Sequence, residues 1–338
     1  MLVVKVPKKK ADLEKKKILS LGLFNTNGRI GSDLSFVYFP VLKKYKTKCV
    51  FVEKMVKKRV VIKGPTTLRE GLKKVLTVSE MKLVKTAYDQ IGAVAILDIP
   101  EELVKKETKI ASVLLDVNPK VETVLKKVGI HSGKFRLQKL KVIAGKKTKV
   151  ASYKENGIIL KMHLENVYFS PRSSTERKRV CSLVKKGEDV LVMFSGCSPY
   201  CCSIGKNTLA SSVVSVEINP VAHKYAQENV HLNKLVNVSL HCGDVRKIVP
   251  CLRKKFDRVI MPLPKDAEKF LDVALSVVKK KGVVHLYSFG YVKDITVIRK
   301  GIKDACKVVG AFCRILKTVK CGQYSPKKYR FCTDFKVI

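Results

Sequence analysis

The feature that most constrains the fold is the regular alternation of short apolar runs with helical patterns after about residue 165. The runs are EDVLVMFSGCSPY, SVVSVEINP, VSLHCGD, FDRVIMPLP and GVVHLYSF, and helical spacing separates them, as in Pro220–Asn233 and Ala267–Lys280. Strands that alternate with helices of this length are typical of βαβ units, so the pattern predicts an α/β fold with a mostly parallel sheet. The final stretch, CRILKTVKCGQYSPKKYRFCTDFKVI, predicts an antiparallel hairpin at the sheet edge.

Two smaller α+β regions are predicted before this part. The first contains the β-rich runs MLVVKVP, FVYFPVL, KCVFVEK and RVVIK with an amphipathic helix at about Lys8–Leu21, and Gly64–Pro65 is a turn signal that ends it. In the second region, AVAILDIP and FRLQKLKVIAG predict strands, VASYKENGIILKMHL predicts a hairpin, and helical spacing is predicted for Leu68–Leu76, Glu101–Lys106 and Val121–Val128. The predicted domains are therefore residues 1–64, 65–164 and 165–338.

The charge restricts the class of partner. Lys and Arg number 69 against 28 Asp and Glu, which gives a net charge of +41 over 338 residues. Such a chain repels itself unless an anion is near, and nucleic acid is the partner that this balance favours. A proteome rich in lysine is the alternative explanation. The chain contains no apolar run of membrane-spanning length and no apolar signal core near its start, so a cytoplasmic protein is expected.

The 11 cysteines predict neither disulfides nor a metal site. Many lie in or beside apolar runs, such as Cys242, Cys251, Cys306 and Cys313, and no CxxC pair occurs. We interpret them as thiols of a reducing compartment, and we predict no metal.

Small and acidic residues follow the predicted strands, where open α/β sheets bind ligands. Phe194-Ser195-Gly196-Cys197-Ser198-Pro199 follows the first strand, Glu217-Ile218 the second, Gly243-Asp244-Val245 the third and Met261-Pro262-Leu263-Pro264 the fourth. A glutamate there can hold two ribose hydroxyls, and an aspartate can meet an adenine amino group. Taken singly, the glycine is more often a structural turn and the glutamate a helix cap. A nicotinamide-binding domain would require GxGxxG, which is absent.

In this order, the strand ends resemble class I S-adenosylmethionine-dependent methyltransferases. More narrowly, the chain resembles the archaeal and eukaryotic tRNA (guanine-N1)-methyltransferase family that modifies the purine at position 37. The matching stretches include VYFSPRSSTERKRV, VLVMFSGCSPY, EINP, GDVRKI, DRVIMPLPKDAEKFL and CGQYSPKKYRFCTDFKV. The resemblance implies a Rossmann-like C-terminal domain, tRNA as partner and a first domain that recognises the outer corner of tRNA.

The resemblance also implies roles for individual residues. Those expected to bind S-adenosylmethionine are Phe194, Ser195, Gly196, Pro199, Glu217, Ile218, Asp244, Val245 and Met261. Those expected to contact RNA or the target base are Arg172, Arg177, Pro262, Leu263, Pro264, Tyr324 and Pro326. Methylation of guanine N1 requires a base for its proton and a cation for the charge that gathers on O6. The resemblance assigns these roles to Glu176 and Arg136. Without the resemblance, Glu176 would be interpreted as an exposed residue at the start of a helix, and Arg136 as a basic residue of a strand.

The sequence departs from the family at two positions. Pro262 stands where many relatives have an asparagine, so this residue has neither an amide side chain nor an N–H to offer. Ser198 stands where a second glycine is usual. Alternatives therefore remain: aminocarboxypropyl transfer or methylation of a wyosine precursor at the same position, or a basic RNA-binding protein without activity. A monomer is the default expectation.

Overall fold

The computed structural model describes residues 1–55, 67–133, 135–263 and 265–338. The chain divides into two compact units, Met1–Thr66 and Thr67–Ile338. The predicted strand RVVIK and the predicted boundary at Gly64–Pro65 lie outside the described residues. Among the helices of the described ranges, none has the length and apolar character that crossing a membrane requires.

The first unit is a small antiparallel sheet with one helix. Its elements are β1 (Leu2–Pro7), α1 (Ala11–Ser20), β2 (Gly31–Ser32), β3 (Phe36–Pro40) and β4 (Val50–Glu53), and the strand order is β2-β3-β1-β4. Strands β1, β3 and β4 fall on three of the predicted runs, whereas the two-residue β2 was not predicted. Val4 and Val6 of β1 pack with Ile18 of α1 and Phe39 of β3, so alternate residues of the central strand build the core.

The second unit begins with a mixed sheet and a hairpin. Its elements are α2 (Leu68–Leu72), α3 (Val78–Leu83), β5 (Asp89–Ile91), β6 (Val94–Leu97), α4 (Glu107–Val117), β7 (Thr123–Ser132), β8 (Leu137–Gly145), β9 (Val150–Glu155) and β10 (Ile158–His163). The sheet order is β5-β6-β7-β8, with β6 and β7 parallel, and β9 pairs with β10. Helix α4 links the two parallel strands and buries Ile110 and Leu114 against this sheet.

The helical prediction for Val121–Val128 is wrong, because this segment forms strand β7. Val124 packs with the core that contains α4, whereas the next residue, Leu125, packs with the core that contains the β9–β10 hairpin. Both faces of the strand are buried at this point, so its apolar residues are consecutive and the period of two disappears.

The rest of the second unit is a seven-stranded sheet covered by helices. Its elements are α5 (Ser174–Ser182), β11 (Asp189–Met193), α6 (Pro199–Asn207), β12 (Ser212–Glu217), α7 (Pro220–Leu232), β13 (Val238–Cys242), α8 (Val245–Cys251), β14 (Phe256–Met261), α9 (Leu271–Val277), β15 (Val278–Gly290), α10 (Ile295–Val308), β16 (Cys313–Ser325) and β17 (Lys328–Val337). The order is β13-β12-β11-β14-β15-β17-β16. Strands β11 to β15 are parallel and β17 is antiparallel to both neighbours, which confirms the predicted parallel sheet and terminal hairpin.

The β9–β10 hairpin is attached to helix α7 through side-chain amides. Asn229 accepts from the Lys161 N–H (2.6 Å) and donates to its carbonyl (3.1 Å), and Asn233 does the same with Ile159 (2.9 and 2.6 Å). The two amides therefore bind the backbone N–H and carbonyl groups along one edge of β10, as a neighbouring strand would. This contact keeps the hairpin beside the loop that follows β11.

Candidate active site

A cavity of about 530 Å³ lies at the carboxyl ends of β11, β12, β13 and β14. Its walls also include residues from the β7–β8 turn, α5, β15 and β17. The predicted site residues on these walls are Arg136, Glu176, Arg177, Phe194, Ser195, Gly196, Pro199, Glu217, Ile218, Asp244, Val245, Pro262 and Leu263. Residues that are far apart in the sequence thus meet at the sheet edge where α/β proteins bind ligands.

The loop after β11 forms one wall of the cavity with Phe194, Ser195, Gly196 and Pro199. Phe194, Gly196 and Ser198 have φ angles of 55°, 58° and 60°, in the left-handed region, and Pro199 begins α6. Ser198 is fully buried, and its hydroxyl pairs with that of Ser215 at 2.9 Å. The departure from glycine is therefore accommodated behind the cavity wall, by a hydrogen bond that helps to hold a conformation unfavourable for a side chain.

Glu217 ends β12 as a buried carboxylate. Its oxygens accept from the N–H groups of Gly196 (2.6 Å) and Asn219 (2.8 Å). Burial raises the pKa of Glu217, although these backbone donors partly oppose the shift. Each oxygen accepts one of these bonds and retains acceptor capacity, so the carboxylate has the chemistry required to hold a pair of ribose hydroxyls.

Asp244 and its neighbours supply a polar edge beside an apolar surface. Asp244 caps α8 by accepting from the Arg246 N–H (2.9 Å), and Ile218, Val245 and Leu263 are apolar cavity residues. An aromatic ring with an amino group suits such a surface, because its faces need apolar contact and its edge needs an acceptor. Together with Glu217, these residues fit the adenosine part of S-adenosylmethionine.

Glu176 lies in the first turn of α5 and is only 5% exposed. Its Oε2 accepts from Arg179 Nε (2.7 Å), while Oε1 accepts from Arg179 Nη2 (2.8 Å) and from the Tyr287 hydroxyl (2.8 Å). The Tyr200 and Tyr287 hydroxyls are 2.7 Å apart, so Tyr200 donates to Tyr287 when Tyr287 donates to Glu176. The carboxylate is thus held by three donors.

Arg136 reaches the cavity from the turn between β7 and β8. It has a φ of 53°, and its guanidinium carbon lies 5.3 Å from the ring centroid of Tyr168 and 5.6 Å from that of Phe289. Phe289 in turn contacts Tyr324, with ring centroids 4.2 Å apart. Two aromatic rings therefore attract a permanent cation to the cavity wall that also carries Glu176.

Arg177 has protein partners that favour a structural role over the predicted RNA contact. Its Nη2 donates to Glu155 on β9 (2.6 Å) and to the carbonyl of Ser170 (3.2 Å), and its Nε also donates to Glu155. Arg177 is 3% exposed, so phosphate would have to displace a buried ion pair. Arg172, by contrast, is largely exposed and pairs with Asp89 at 2.8 Å, outside the cavity.

Three further predictions receive no support from the positions of the residues, and a fourth concerns a residue outside the described ranges. The Met261 side chain is in the sheet core, and its carbonyl accepts from the Leu263 N–H (2.8 Å). Tyr324 is 57% exposed beside Phe289, and Pro326 lies in the turn between β16 and β17, so neither lies on the cavity wall. Pro264 lies outside the described residues.

Sequence reasoning missed several polar or aromatic cavity residues. Among them are Tyr168, Tyr200, Tyr287 and Arg330. Tyr168 lies in the stretch VYFSPRSSTERKRV and Tyr200 ends VLVMFSGCSPY, so both belong to stretches that carry the resemblance but were assigned no role. Arg330 donates to the Ser173 hydroxyl (2.8 Å) across 157 positions of chain, which no local pattern indicates.

His285, Cys332 and Asp334 form a buried cluster with donor atoms close enough to hold a metal ion. Arg258 donates to His285 Nε2 (2.7 Å), so the ring proton is on Nδ1 and is donated to Asp334 (2.6 Å). This hydrogen bonding occupies the ligand atoms, and Arg179 is a second neighbouring cation. The cluster is therefore explained as a hydrogen-bond network.

Comparison with known proteins gives matches along nearly the whole chain. Family models match residues 4–48 (tRNA methyltransferase 5 N-terminal domain), 68–148 (TYW2 N-terminal domain) and 151–314 (TRM5/TYW2 methyltransferase domain). The tRNA (guanine(37)-N(1))-methyltransferase Trm5b of Pyrococcus abyssi is 34% identical over 339 residues, covering 99% of each chain.

Two further relatives widen the comparison. The tRNA (guanine(37)-N(1))/4-demethylwyosine(37)-methyltransferase Taw22 of Nanoarchaeum equitans is 34% identical over 64% of this chain and 89% of its own. A solved complex of aTrm5 with tRNALeu is 29% identical, with a TM-score of 0.73 and 99% coverage of both chains. With a 34% identical relative matched end to end, the chain belongs to the TRM5/TYW2 family of methyltransferases.

Proposed function

We propose that this protein transfers a methyl group from S-adenosylmethionine to N1 of guanosine 37 in tRNA. The observation that carries the proposal is the meeting, on one cavity, of a buried carboxylate (Glu176), a guanidinium (Arg136) and two strand-end acids (Glu217 and Asp244). Glu176 and Arg136 can accept the proton of guanine N1 and stabilise the charge on O6. Glu217 and Asp244 can accept hydrogen bonds from adenosine.

Glu217 and Asp244 would hold the ribose and adenine of the cofactor, with the loop 194–199 beside its methionine part. When bound, S-adenosylmethionine supplies a methyl group already activated on a sulfonium. The residues of the chain then have three tasks: to place guanine N1, to accept its proton and to balance the charge on O6.

Glu176 is proposed as the proton acceptor, and its hydrogen bonds leave room for this. A carboxylate has about four acceptor positions, and three are used, two on Oε1 and one on Oε2. Oε2 therefore has the remaining position for the N1 proton. The three donors also restrict rotation of the side chain, which keeps this position in place.

Arg136 is proposed to bind O6, because negative charge develops there as N1 loses its proton. A guanidinium is always charged, so it stabilises that oxygen at any working pH. Pro262 and Leu263 would lie beside the base. The Pro262 carbonyl is available to the guanine amino group, whereas the Met261 carbonyl already accepts from Leu263.

The test is transfer of labelled methyl to unmodified tRNA transcripts, with nucleoside identification. We expect 1-methylguanosine with wild-type protein, none with a transcript altered at position 37, and a loss of about 10²-fold or more for Glu176→Gln. Glu165→Gln removes another ion-paired carboxylate, bound to Lys149, and should leave the rate unchanged.

A different reaction product would contradict the proposed function. Transfer of an aminocarboxypropyl group, or activity only on a wyosine precursor, would assign the second function that we considered from the sequence. Tight tRNA binding with no transfer to any substrate would indicate a binding protein.

A further inference from the structure

We propose that Asp334 is a positioning residue for the reaction: by sharing the guanidinium of Arg179, it keeps Glu176 able to accept a proton. This inference rests on the proposed role of Glu176. Asp334 lies on β17, is 4% exposed and is outside the cavity wall, so it acts only through Arg179.

The geometry places Arg179 between two carboxylates. It donates to Glu176 through Nε (2.7 Å) and Nη2 (2.8 Å), and to Asp334 through Nη1 (2.6 Å) and Nη2 (3.2 Å). Such two-point contacts hold both acids in the plane of one guanidinium. Arg179 therefore both orients Glu176 and couples it electrostatically to Asp334.

The charge of this triad favours proton uptake. Two carboxylates and one guanidinium carry a net charge of −1, and a proton on Glu176 brings this triad to zero. Without the Asp334 charge, Glu176 and Arg179 would already be neutral together, and the same proton would leave the half-buried Arg179 as an uncompensated cation beside a buried acid. Burial of the two acids makes that difference matter, so Asp334 favours the role of Glu176 as a base.

Asp334 is itself held in its ionised form. Burial alone would raise its pKa, but hydrogen bonds from His285 (2.6 Å) and Arg179 outweigh burial and lower it. Behind His285, Arg258 donates to the ring and pairs with Glu188 at 2.8 and 2.9 Å. Three strands of the sheet, β14, β15 and β17, thus supply one continuous support for the acid.

The other titratable groups around Glu176 do not offer a substitute charge. Those that face it are Tyr200 on α6, Tyr287 on β15, Cys321 on β16 and Cys332 on β17. Burial raises the pKa of each of these groups, so all four stay neutral near pH 7. The cavity that contains Glu176 also carries the cations Arg136, Arg177 and Arg330, so Asp334 supplies a negative charge that none of these described groups provides.

The experiment compares single-turnover methylation as a function of pH for Asp334→Asn, Arg179→Gln and a matched control. Asp257→Asn is the control, because Asp257 is also an ion-paired aspartate of this sheet, bound to Lys279 at the opposite end of the strands. We expect Asp334→Asn to slow methylation at neutral pH by about tenfold or more and to move the acid limb of the profile to lower pH. Removal of the cation in Arg179→Gln should move that limb to higher pH. Asp257→Asn should match wild type.

Binding measurements separate this effect from misfolding. Calorimetry with S-adenosylhomocysteine should give the same affinity for Asp334→Asn and wild type, with the loss confined to the rate and not to KM for tRNA. An unchanged rate and acid limb in Asp334→Asn would overturn the inference, as would limbs that move in the same direction in both variants. If Asp334→Asn does not fold, Arg179→Gln still tests the inference. An acid limb at the wild-type pH in that variant would be enough to overturn it. Full activity of Glu176→Gln would instead overturn the proposed base, and the inference with it.

Discussion

At the residue scale, Glu217 links proton binding to cofactor binding. Burial raises its pKa above the ordinary value of 4.5, so the empty folded protein holds this proton more tightly than the unfolded chain does. Its contribution to folding stability therefore falls as pH rises through the window between 4.5 and the raised value. The carboxylate formed across this window is the form that accepts hydrogen bonds from both ribose hydroxyls.

We therefore expect affinity for S-adenosylhomocysteine to increase with pH through that window and then to level off. Glu217→Gln should weaken binding by about tenfold or more and flatten the pH dependence, because a neutral amide replaces a charged acceptor. Calorimetry from pH 5 to 8 measures both effects. A pH-independent affinity in the wild type would contradict this role, and Glu165→Gln serves as the control carboxylate.

Ser198 gives a residue-scale prediction about stability. It is fully buried with a φ of 60°, and its hydroxyl contacts Ser215. Ser198→Val would place a β-branched side chain in the left-handed region and remove the hydrogen bond, so we expect the free energy of unfolding to fall by about 2–4 kcal/mol. Ser198→Gly should change it by less than about 1 kcal/mol, because relief of backbone strain offsets the lost bond. Urea denaturation distinguishes them, and equal losses would show that the backbone angle is unimportant.

At the element scale, α7 acts as a partner strand for β10. Asn229 uses its carbonyl oxygen to accept from Lys161 and its amino group to donate to the carbonyls of Lys161 and Cys197, at 3.1 and 3.0 Å. One side chain thus joins the hairpin, the helix and the cavity loop. Both ends of the amide are needed, since it faces donors and acceptors at once.

Asn229→Asp keeps the size of the side chain but removes its donors. Two buried carbonyls would then face a carboxylate, so we expect a loss of about 2–4 kcal/mol in unfolding free energy and weaker S-adenosylhomocysteine binding. Asn237→Asp is the matched control, because Asn237 donates to a single carbonyl, that of Ala210 (3.2 Å). Equal losses in the two variants would argue against a special role for the Asn229 contacts.

The elements also show where sequence reasoning succeeds. The parallel strands and the residues that follow them were predictable, because apolar runs and strand-end chemistry are local features of the sequence. β7 was not, since burial of Val124 and Leu125 on opposite faces depends on two separate cores. The contact of Tyr287 with Glu176 and that of Asp334 with Arg179 were also not predictable, because each joins residues more than a hundred positions apart.

At the scale of the whole molecule, the net charge of +41 should dominate tRNA affinity. Each phosphate that a lysine or arginine neutralises releases counterions, so added salt weakens binding. We expect tRNA affinity to fall by about 10³-fold between about 50 and 200 mM salt, the loss typical of about six phosphate contacts. S-adenosylhomocysteine affinity in the same buffers is the control and should be nearly constant. A change of less than about tenfold for tRNA would mean that most of the basic residues contact only water.

The position of β17 in the chain has a consequence for synthesis. The residues proposed to hold the cofactor, Glu217 and Asp244, precede this strand by about eighty residues or more, whereas Asp334 belongs to it. While a ribosome is still translating β17, the emerged chain already contains the strand ends for adenosine but lacks the second partner of Arg179. If Asp334 acts as proposed, a nascent chain becomes competent for methylation only after residue 334 has left the exit tunnel. Emergence of β17 would then also be the step that activates the enzyme.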